Sequence, residues 1–330
     1  MENQSNKLIS FVIPCYRSQN TIETVVKEIQ DTVKTRKGFD FEIVLVNDCS
    51  PDGVWDVIAK LSKENDNIIG INFAKNFGQH SALLAGYHYC SGDYVVSLDD
   101  DGQTPACEVY SLIDELEKGY DVVYASYGEV HQNIIRKLGS KFAKAMSDYM
   151  FDVKAKDNNQ GSSYFVARRF IIQEVIKYGN PYPYMGGLVF RATRNIGFVF
   201  VEHRDRMEGR SGYSLRGLIN LWLNGFTAFS IKPLRLGSYA GFFFAFVGFI
   251  YALITIIRKL FITPNMEAGW SSTISIILII GGIIMIMLGL IGEYVGRIYI
   301  CINNSPQYVI KEIKGNENSK RRLGEEESWS

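Results

Sequence analysis

What this 330-residue chain lacks removes several readings at once. It has no net charge, since 35 lysines and arginines balance 35 aspartates and glutamates. No global field therefore points to nucleic acid or to an acidic partner. Its five cysteines (Cys15, Cys49, Cys90, Cys107, Cys301) form neither a C-x-x-C pair nor any Cys/His zinc pattern. They read as reduced thiols in a cytosolic setting. The apolar run ending at Cys15 is broken by Pro14 and is too short for a secretory h-region, which excludes a lipoprotein signal. No Gly-x-Gly-x-x-Gly follows the first predicted strand and no Walker-type lysine loop is present, so dinucleotide oxidoreductases and P-loop enzymes lose their main support. There is no internal repeat.

Charge is missing altogether from residues 236–257 and 270–292. At about 1.5 Å per residue, each run covers the roughly 30 Å of a bilayer core. "GFFFAFVGFIYALITII" and "ISIILIIGGIIMIML" are apolar all round, which a soluble core helix rarely needs to be. We expect transmembrane helices over 235–258 and 270–296, joined by a short loop at 259–269. Such a hairpin leaves everything before and after it on one side. Lys232, Arg235 and Arg297 flank its outer ends while Arg258 and Lys259 begin the loop, so counting cations does not set the orientation. With free cysteines and no signal peptide read from the sequence, residues 1–213 are expected to be cytoplasmic. Residues 214–234 read as an amphipathic helix, and Trp222 and Phe226 suit the headgroup region, although a core-facing helix fits the same pattern. The tail, 297–330, is polar and ends in "GNENSKRRLGEEESWS", which is expected to be disordered.

The first 130 residues alternate. "LISFVIP", "FEIVLVND", "IIGINFA", "YVVSLDD" and "DVVYASY" read as strands, and helical patterns separate them. This order predicts a parallel sheet with helices on both faces. Ligands on such a sheet sit at the carboxyl ends of its strands, which gathers Pro14, Asp48 and Asp99 to Asp101 around one crevice. The three adjacent aspartates are the sharpest feature. Two like charges 4 Å apart repel by about 4 kcal/mol at an effective dielectric of about 20. Such a cluster has three ordinary uses: binding a hard divalent cation, serving as an acid/base pair, or capping the next helix. Capping needs one carboxylate rather than three.

In order and spacing, "FVIPCYRSQNTI", "IVLVNDCSPDGVWDVI" and "NFGQHSALLAGYHYCSGDYVVSLDDDGQTP" resemble the family 2 glycosyltransferases of the GT-A fold. The likeness is strongest to membrane-anchored polyprenyl-phosphate glycosyltransferases, the dolichyl-phosphate-mannose synthase-like group. Their D-x-D motif followed by Gln and Pro has its counterpart in Asp99, Asp101, Gln103 and Pro105. The resemblance continues through "EHRDRMEGRSGYSLRGLINL" to the hairpin and "IGEYVGRIY".

The resemblance implies an α/β GT-A catalytic domain with a C-terminal two-helix hairpin, anchored in the inner (cytoplasmic) membrane. It implies an inverting transfer from a nucleotide-diphosphate sugar, foremost a UDP-sugar, to a polyprenyl phosphate. Asp48 would accept from the nucleotide base, with Pro14 and Tyr16 shaping that pocket. Asp99 and Asp100 would lie beside ribose and diphosphate, with Gln79, Asn76 and Gly78 nearby. Asp101, together with Asp99, would hold Mg2+ or Mn2+. Ser162 stands where the family carries an acid proposed as base, and Asp157 lies five residues earlier. Arg206 and Ser211 match the Arg…Gly-x-Ser pattern expected to grip the acceptor phosphate, with Arg136, Arg204 and Arg210 as further contributors. Glu293 and Arg297, four apart on a helix, would pair at the membrane edge. The anchor leaves surface for self-association as a homo-oligomer. Two rival readings stand beside this one: transfer to another lipid-linked acceptor, and a non-catalytic membrane scaffold. A processive polysaccharide synthase is disfavoured, because there is no Gln-x-x-Arg-Trp segment and there are too few spans for a channel.

Overall fold

In the computed structural model the described residues are 6–127, 162–202, 204, 269–303 and 305–315, with scattered positions between 239 and 261. The chain forms two compact units, one of residues 1–217 with 305–330 and one of residues 218–304.

The first unit is built on strands whose apolar runs are buried on both faces, as a parallel sheet requires. These are β1 (Lys7–Cys15), β2 (Phe39–Asn47), β3 (Ile68–Phe73) and β4 (Tyr94–Ser97), all paired parallel with β1 between β2 and β4. Helix α1 (Ile22–Lys34) buries Ile22, Val25, Val26, Ile29 and Val33, the face its spacing predicts. Helix α2 (Val54–Glu64) buries Val54, Ile58 and Leu61, with Val57 partly covered. Helix α3 (Gln79–His88) is buried nearly all round, from Ser81 to Tyr87. Helix α4 (Val109–Glu117) follows a short 3-10 turn and leads to β5 (Val122–Ser126).

The sheet departs from an all-parallel reading at both edges. Strand β6 (Phe165–Arg168) slots antiparallel between β4 and β5, and β7 (Ile196–Phe200) lies parallel beyond β5. Helices α5 (Arg169–Ile176) and α6 (Met185–Ala192) connect them. At the other edge β8 (Ile310–Lys314), within the expected tail, pairs antiparallel with β3. The full order is β7-β5-β6-β4-β1-β2-β3-β8. The final "GNENSKRRLGEEESWS" falls, apart from its first residue, outside the described residues.

In the second unit α7 (Trp270–Ile302) has 33 residues, about 50 Å of helix, and so continues past residue 296. It is the one described helix long and apolar enough to cross a membrane, over Ile280–Ile302. Of the first expected span only scattered positions are described, and those from 239 to 257 are helical.

Candidate active site

The crevice lies at the carboxyl ends of β1, β2 and β4. Register sets Cys15 beside Asn47 and Ser97 beside both Val12 and Phe165, so the loops leaving these strands start at similar heights. Two residues there adopt positive φ without being glycine, Arg17 (59°) and Cys49 (50°). Such backbone persists only where its surroundings fix it. Here Arg17 N donates to Ser50 Oγ (2.8 Å), Gln19 N to Asp52 Oδ2 (3.0 Å) and Gly53 N to Gln19 Oε1 (2.9 Å). The β1–α1 and β2–α2 loops thus form one stitched rim. Tyr16 stands exposed on it, with the Arg17 guanidinium 5.5 Å from its ring centre, while Pro14 is buried in β1.

Asp48 is 4% exposed and organises the β3–α3 loop. One carboxylate oxygen accepts from Phe77 N (2.7 Å) and the other from Gly78 N (2.8 Å), while its carbonyl accepts from Asn76 Nδ2 (3.1 Å). Burial raises its carboxyl above the ordinary range, and the two amides pull the other way. A carboxylate offers about four lone-pair positions, so two amides do not exhaust it.

The three aspartates separate. Asp99 accepts from Gln79 Nε2 (3.0 Å) and, through its other oxygen, from the Ser163 hydroxyl. Asp100 turns toward β1, where Oδ2 accepts from Tyr16 N (2.8 Å) and its carbonyl from Thr21 Oγ1 (2.6 Å). Burial first, and the charges of Asp99 and Asp101 after it, push the Asp100 carboxyl up to about 6. Asp101 Oδ1 accepts from Gln103 N (3.1 Å), closing a small turn in which Gly102 takes φ 73°, the left-handed region that suits glycine.

Ser162 donates to the Tyr127 hydroxyl (3.4 Å) and accepts from Tyr164 N (3.0 Å). Burial raises the Tyr127 phenol, and the nearby charges of Asp99 and Asp101 add to it. Tyr127 and Ser163 were absent from the sequence-based expectations. Tyr127 immediately follows β5 at the same sheet edge, so the carboxyl-end rule could have found it, whereas Ser163 required knowing where β6 inserts. The Arg204 guanidinium grips both Glu28 oxygens (2.9 and 3.1 Å), and its backbone N donates to Gln103 O (3.4 Å). Arg136, Asp157, Arg206, Arg210 and Ser211 lie outside the described residues. Glu293 lies on α7, and nothing is described of the Arg297 side chain.

The donor set suits a hard cation, because it consists of carboxylate oxygens whose mutual repulsion a dication relieves. Among the described residues no three His, Cys, Asp or Glu side chains converge as a complete cage. An ion here would take one or two carboxylates from the protein and its remaining ligands from phosphate and water, the habit of Mg2+.

Residues 10–177 match the family model for glycosyl transferase family 2, and residues 232–298 match the GtrB C-terminal hairpin. The chain is 30% identical over 319 residues to an uncharacterized glycosyltransferase, YkcC, of Bacillus subtilis, covering 94% of this chain and 95% of that one. It is equally 30% identical, over 327 residues and 96% of each chain, to the undecaprenyl-phosphate 4-deoxy-4-formamido-L-arabinose transferase of Yersinia enterocolitica. Among solved structures, mannosyl-3-phosphoglycerate synthase from Rubrobacter xylanophilus aligns at a TM-score of 0.47 and 17% identity, over 71% of this chain and 75% of that one. The expected α/β sheet and C-terminal hairpin agree with both family models. The hairpin match and the apolar α7 mark a membrane protein.

Proposed function

The chain belongs to glycosyl transferase family 2, and from that premise we propose that it moves a sugar from a nucleotide-diphosphate sugar, foremost a UDP-sugar, to a polyprenyl phosphate of the undecaprenyl type at the cytoplasmic membrane face. The observation that carries this is the convergence of Asp48, Asp99 and Asp101 on one sheet edge in a chain that also holds a membrane hairpin. The undecaprenyl-phosphate acceptor in the name of the Yersinia relative supports the choice of acceptor.

Asp48 is read as the base-facing acid, with Pro14 and Tyr16 beside it. Asp99 and Asp100 flank ribose and diphosphate, with Gln79 holding Asp99 in place. Asp101 and Asp99 would hold Mg2+ or Mn2+, which neutralises the diphosphate leaving group. On the acceptor side, a phosphate monoester is largely dianionic at pH 7, with a second pKa of about 6. Its oxygen needs positioning more than deprotonation. That fits a site with Ser162 where a carboxylate would otherwise stand, with Asp157 as the nearest acid in sequence. Arg206 and Ser211 are assigned to grip the acceptor phosphate. One phosphate oxygen bonds to the anomeric carbon as the bond to the diphosphate breaks on the opposite face, so the configuration inverts.

The connectivity supports the membrane arrangement. Residues 1–217 and 305–330 fold as one unit, with β8 in the sheet. A segment that leaves that unit and rejoins it crosses a bilayer an even number of times.

The test uses detergent-purified full-length protein, undecaprenyl phosphate, Mg2+ or Mn2+, and radiolabelled UDP-, GDP- and dTDP-sugars, following label into the organic phase. Label from one donor, lost in Asp101→Ala, is the expected result. Metal-dependent donor binding without transfer moves the acceptor elsewhere, and neither binding nor transfer from any donor refutes the proposal.

A further inference from the structure

The loop at residues 74–79 carries the donor side of the crevice, because Phe77 and Gly78 hold Asp48 and Gln79 holds Asp99. Its support comes from far away in sequence. Residues 307–309, among the first to rejoin the first unit after residues 218–304, reach this loop by three routes.

The Tyr308 ring stacks on Phe73 at 5.5 Å between centres and 3° between planes. Phe73 in turn meets Phe77 edge-on at 5.7 Å and 84°. Phe77 is the residue whose amide holds Asp48. Next in the chain, the Val309 carbonyl accepts from Ala74 N (2.9 Å), fixing the start of the same loop. The third route passes through Gln307. Its Nε2 donates to the carbonyls of Tyr178 (2.5 Å) and Asn180 (2.7 Å), pinning the turn between α5 and α6. That turn holds Tyr182 at φ 61° and ends at Tyr184, whose ring packs edge-on against His80 at 5.2 Å. His80 directly follows Gln79 on α3.

From these contacts we infer that Gln307, Tyr308 and Val309 are positioning residues for the nucleotide-sugar site. They touch no reacting atom. They act through Phe77 on Asp48 and through Tyr184 and His80 on Gln79 and Asp99. The segment that closes the hairpin topology thereby sets the geometry of the donor crevice, so the site is complete only when the chain has returned from residues 218–304 and docked along β3. Packing of this kind accounts for the placement. A stacked ring and an edge-on ring fix orientation as well as distance, and a side-chain amide that bridges two carbonyls fixes a turn that has no strand or helix of its own.

The inference rests on the reading of Asp48 and Asp99 as the donor-facing acids, and the experiment separates the two. Calorimetry with the full chain in detergent, UDP-sugar and Mn2+ first establishes donor binding by the wild type. If no donor binds, the functional reading fails. With binding established, Tyr308→Ala is expected to weaken the donor by about five- to tenfold, Tyr308→Phe to restore it, and the KM for polyprenyl phosphate to stay unchanged in both. Gln307→Ala is expected to act in the same direction, and Gln307→Glu more strongly, because a carboxylate cannot donate to two carbonyls. Ile313→Ala controls for folding: it loosens the same β8, where Ile313 lies opposite Ile71, without touching the loop. It should lower the melting temperature and leave donor affinity alone. Donor affinity that follows melting temperature across all these variants, or a Tyr308→Ala chain that binds donor as the wild type does, overturns the inference.

Discussion

Replacing Gly86 by alanine probes how tightly α3, and with it Gln79, is held against the sheet. A methyl built at Gly86 would lie 2.3 Å from Val12 Cγ1 and 3.3 Å from Val46 Cγ2. Ordinary carbon contacts are about 3.5–4.0 Å, so the helix or the strand must yield by more than about 1 Å. Val12 cannot swing aside cheaply, since it is β-branched and fully buried in β1, the centre of the sheet. Overpacking of this kind costs about 1–3 kcal/mol, and alanine returns up to about 1 kcal/mol of helix propensity. With an overlap this deep we expect a net loss of about 2 kcal/mol, which lowers the melting temperature of a domain this size by about 4–8 °C. Thermal melts read that shift. A double-mutant cycle identifies its cause, because Val12→Ala makes room for the new methyl, so Val12→Ala/Gly86→Ala should be more stable than the two single losses added together. Donor affinity should fall in Gly86→Ala, since displacing α3 draws Gln79 from Asp99, and should recover in the double variant. A Gly86→Ala chain that melts within a degree of the wild type, or strictly additive single losses, would refute this account.

Ser163→Ala removes a hydroxyl from Asp99 and should weaken nucleotide-sugar binding about tenfold in calorimetry, while Ser163→Thr keeps most of the affinity. His80 gives a pH dependence: burial pulls its imidazole down to about 4 from an ordinary value of about 6.5. Because its folded value is the lower one, its contribution is complete above about pH 6.5 and is lost as pH falls toward 4, by about 3 kcal/mol. Denaturant unfolding between these limits should therefore show a flatter acid slope in His80→Gln. The Arg204–Glu28 pair is partly exposed, so Glu28→Gln should cost at most about 1 kcal/mol of stability. Arg204→Ala should change the KM for polyprenyl phosphate by less than about threefold, far less than Arg206→Ala, when transfer is followed against acceptor concentration.

Elements were legible in the sequence where burial on a single face or on both faces leaves a long periodic trace. Ile22, Val25, Val26, Ile29 and Val33 mark α1, and the unbroken apolar runs of β1 to β3 mark strands covered on both sides. Strand β6 left no such trace, since it has four residues and a reading of βα alternation places β5 directly beside β4. Strand β8 was hidden differently. "IKEIK" lies at a sheet edge, spaces its two isoleucines three apart among charged residues rather than alternating them, and sits in a polar tail. Its partner β3 is more than 200 residues away, and local patterning carries nothing about so distant a pairing. The acids at the strand ends were legible for the opposite reason: the carboxyl-end rule depends only on where a strand stops. Ser163 was not, because its contact with Asp99 exists only once β6 has come to lie antiparallel beside β4.

The aspartate triplet shows why a motif is less than a site. By charge alone the three carboxylates are equivalent, and the repulsion between them suggests one shared task. The fold gives each a separate one. Asp99 is held between α3 and the residues leading into β6, by Gln79 on one oxygen and Ser163 on the other. Asp101 closes the turn that Gly102 makes feasible and presents Gln103. Asp100 fastens the β1–α1 loop, its carboxylate accepting from the Tyr16 amide and its carbonyl from the Thr21 hydroxyl. Burial, and after it the two flanking charges, push this middle carboxyl up to about 6. A cation held by Asp99 and Asp101, as proposed, would ease the repulsion on Asp100, whose Oδ2 accepts from the Tyr16 amide on the rim.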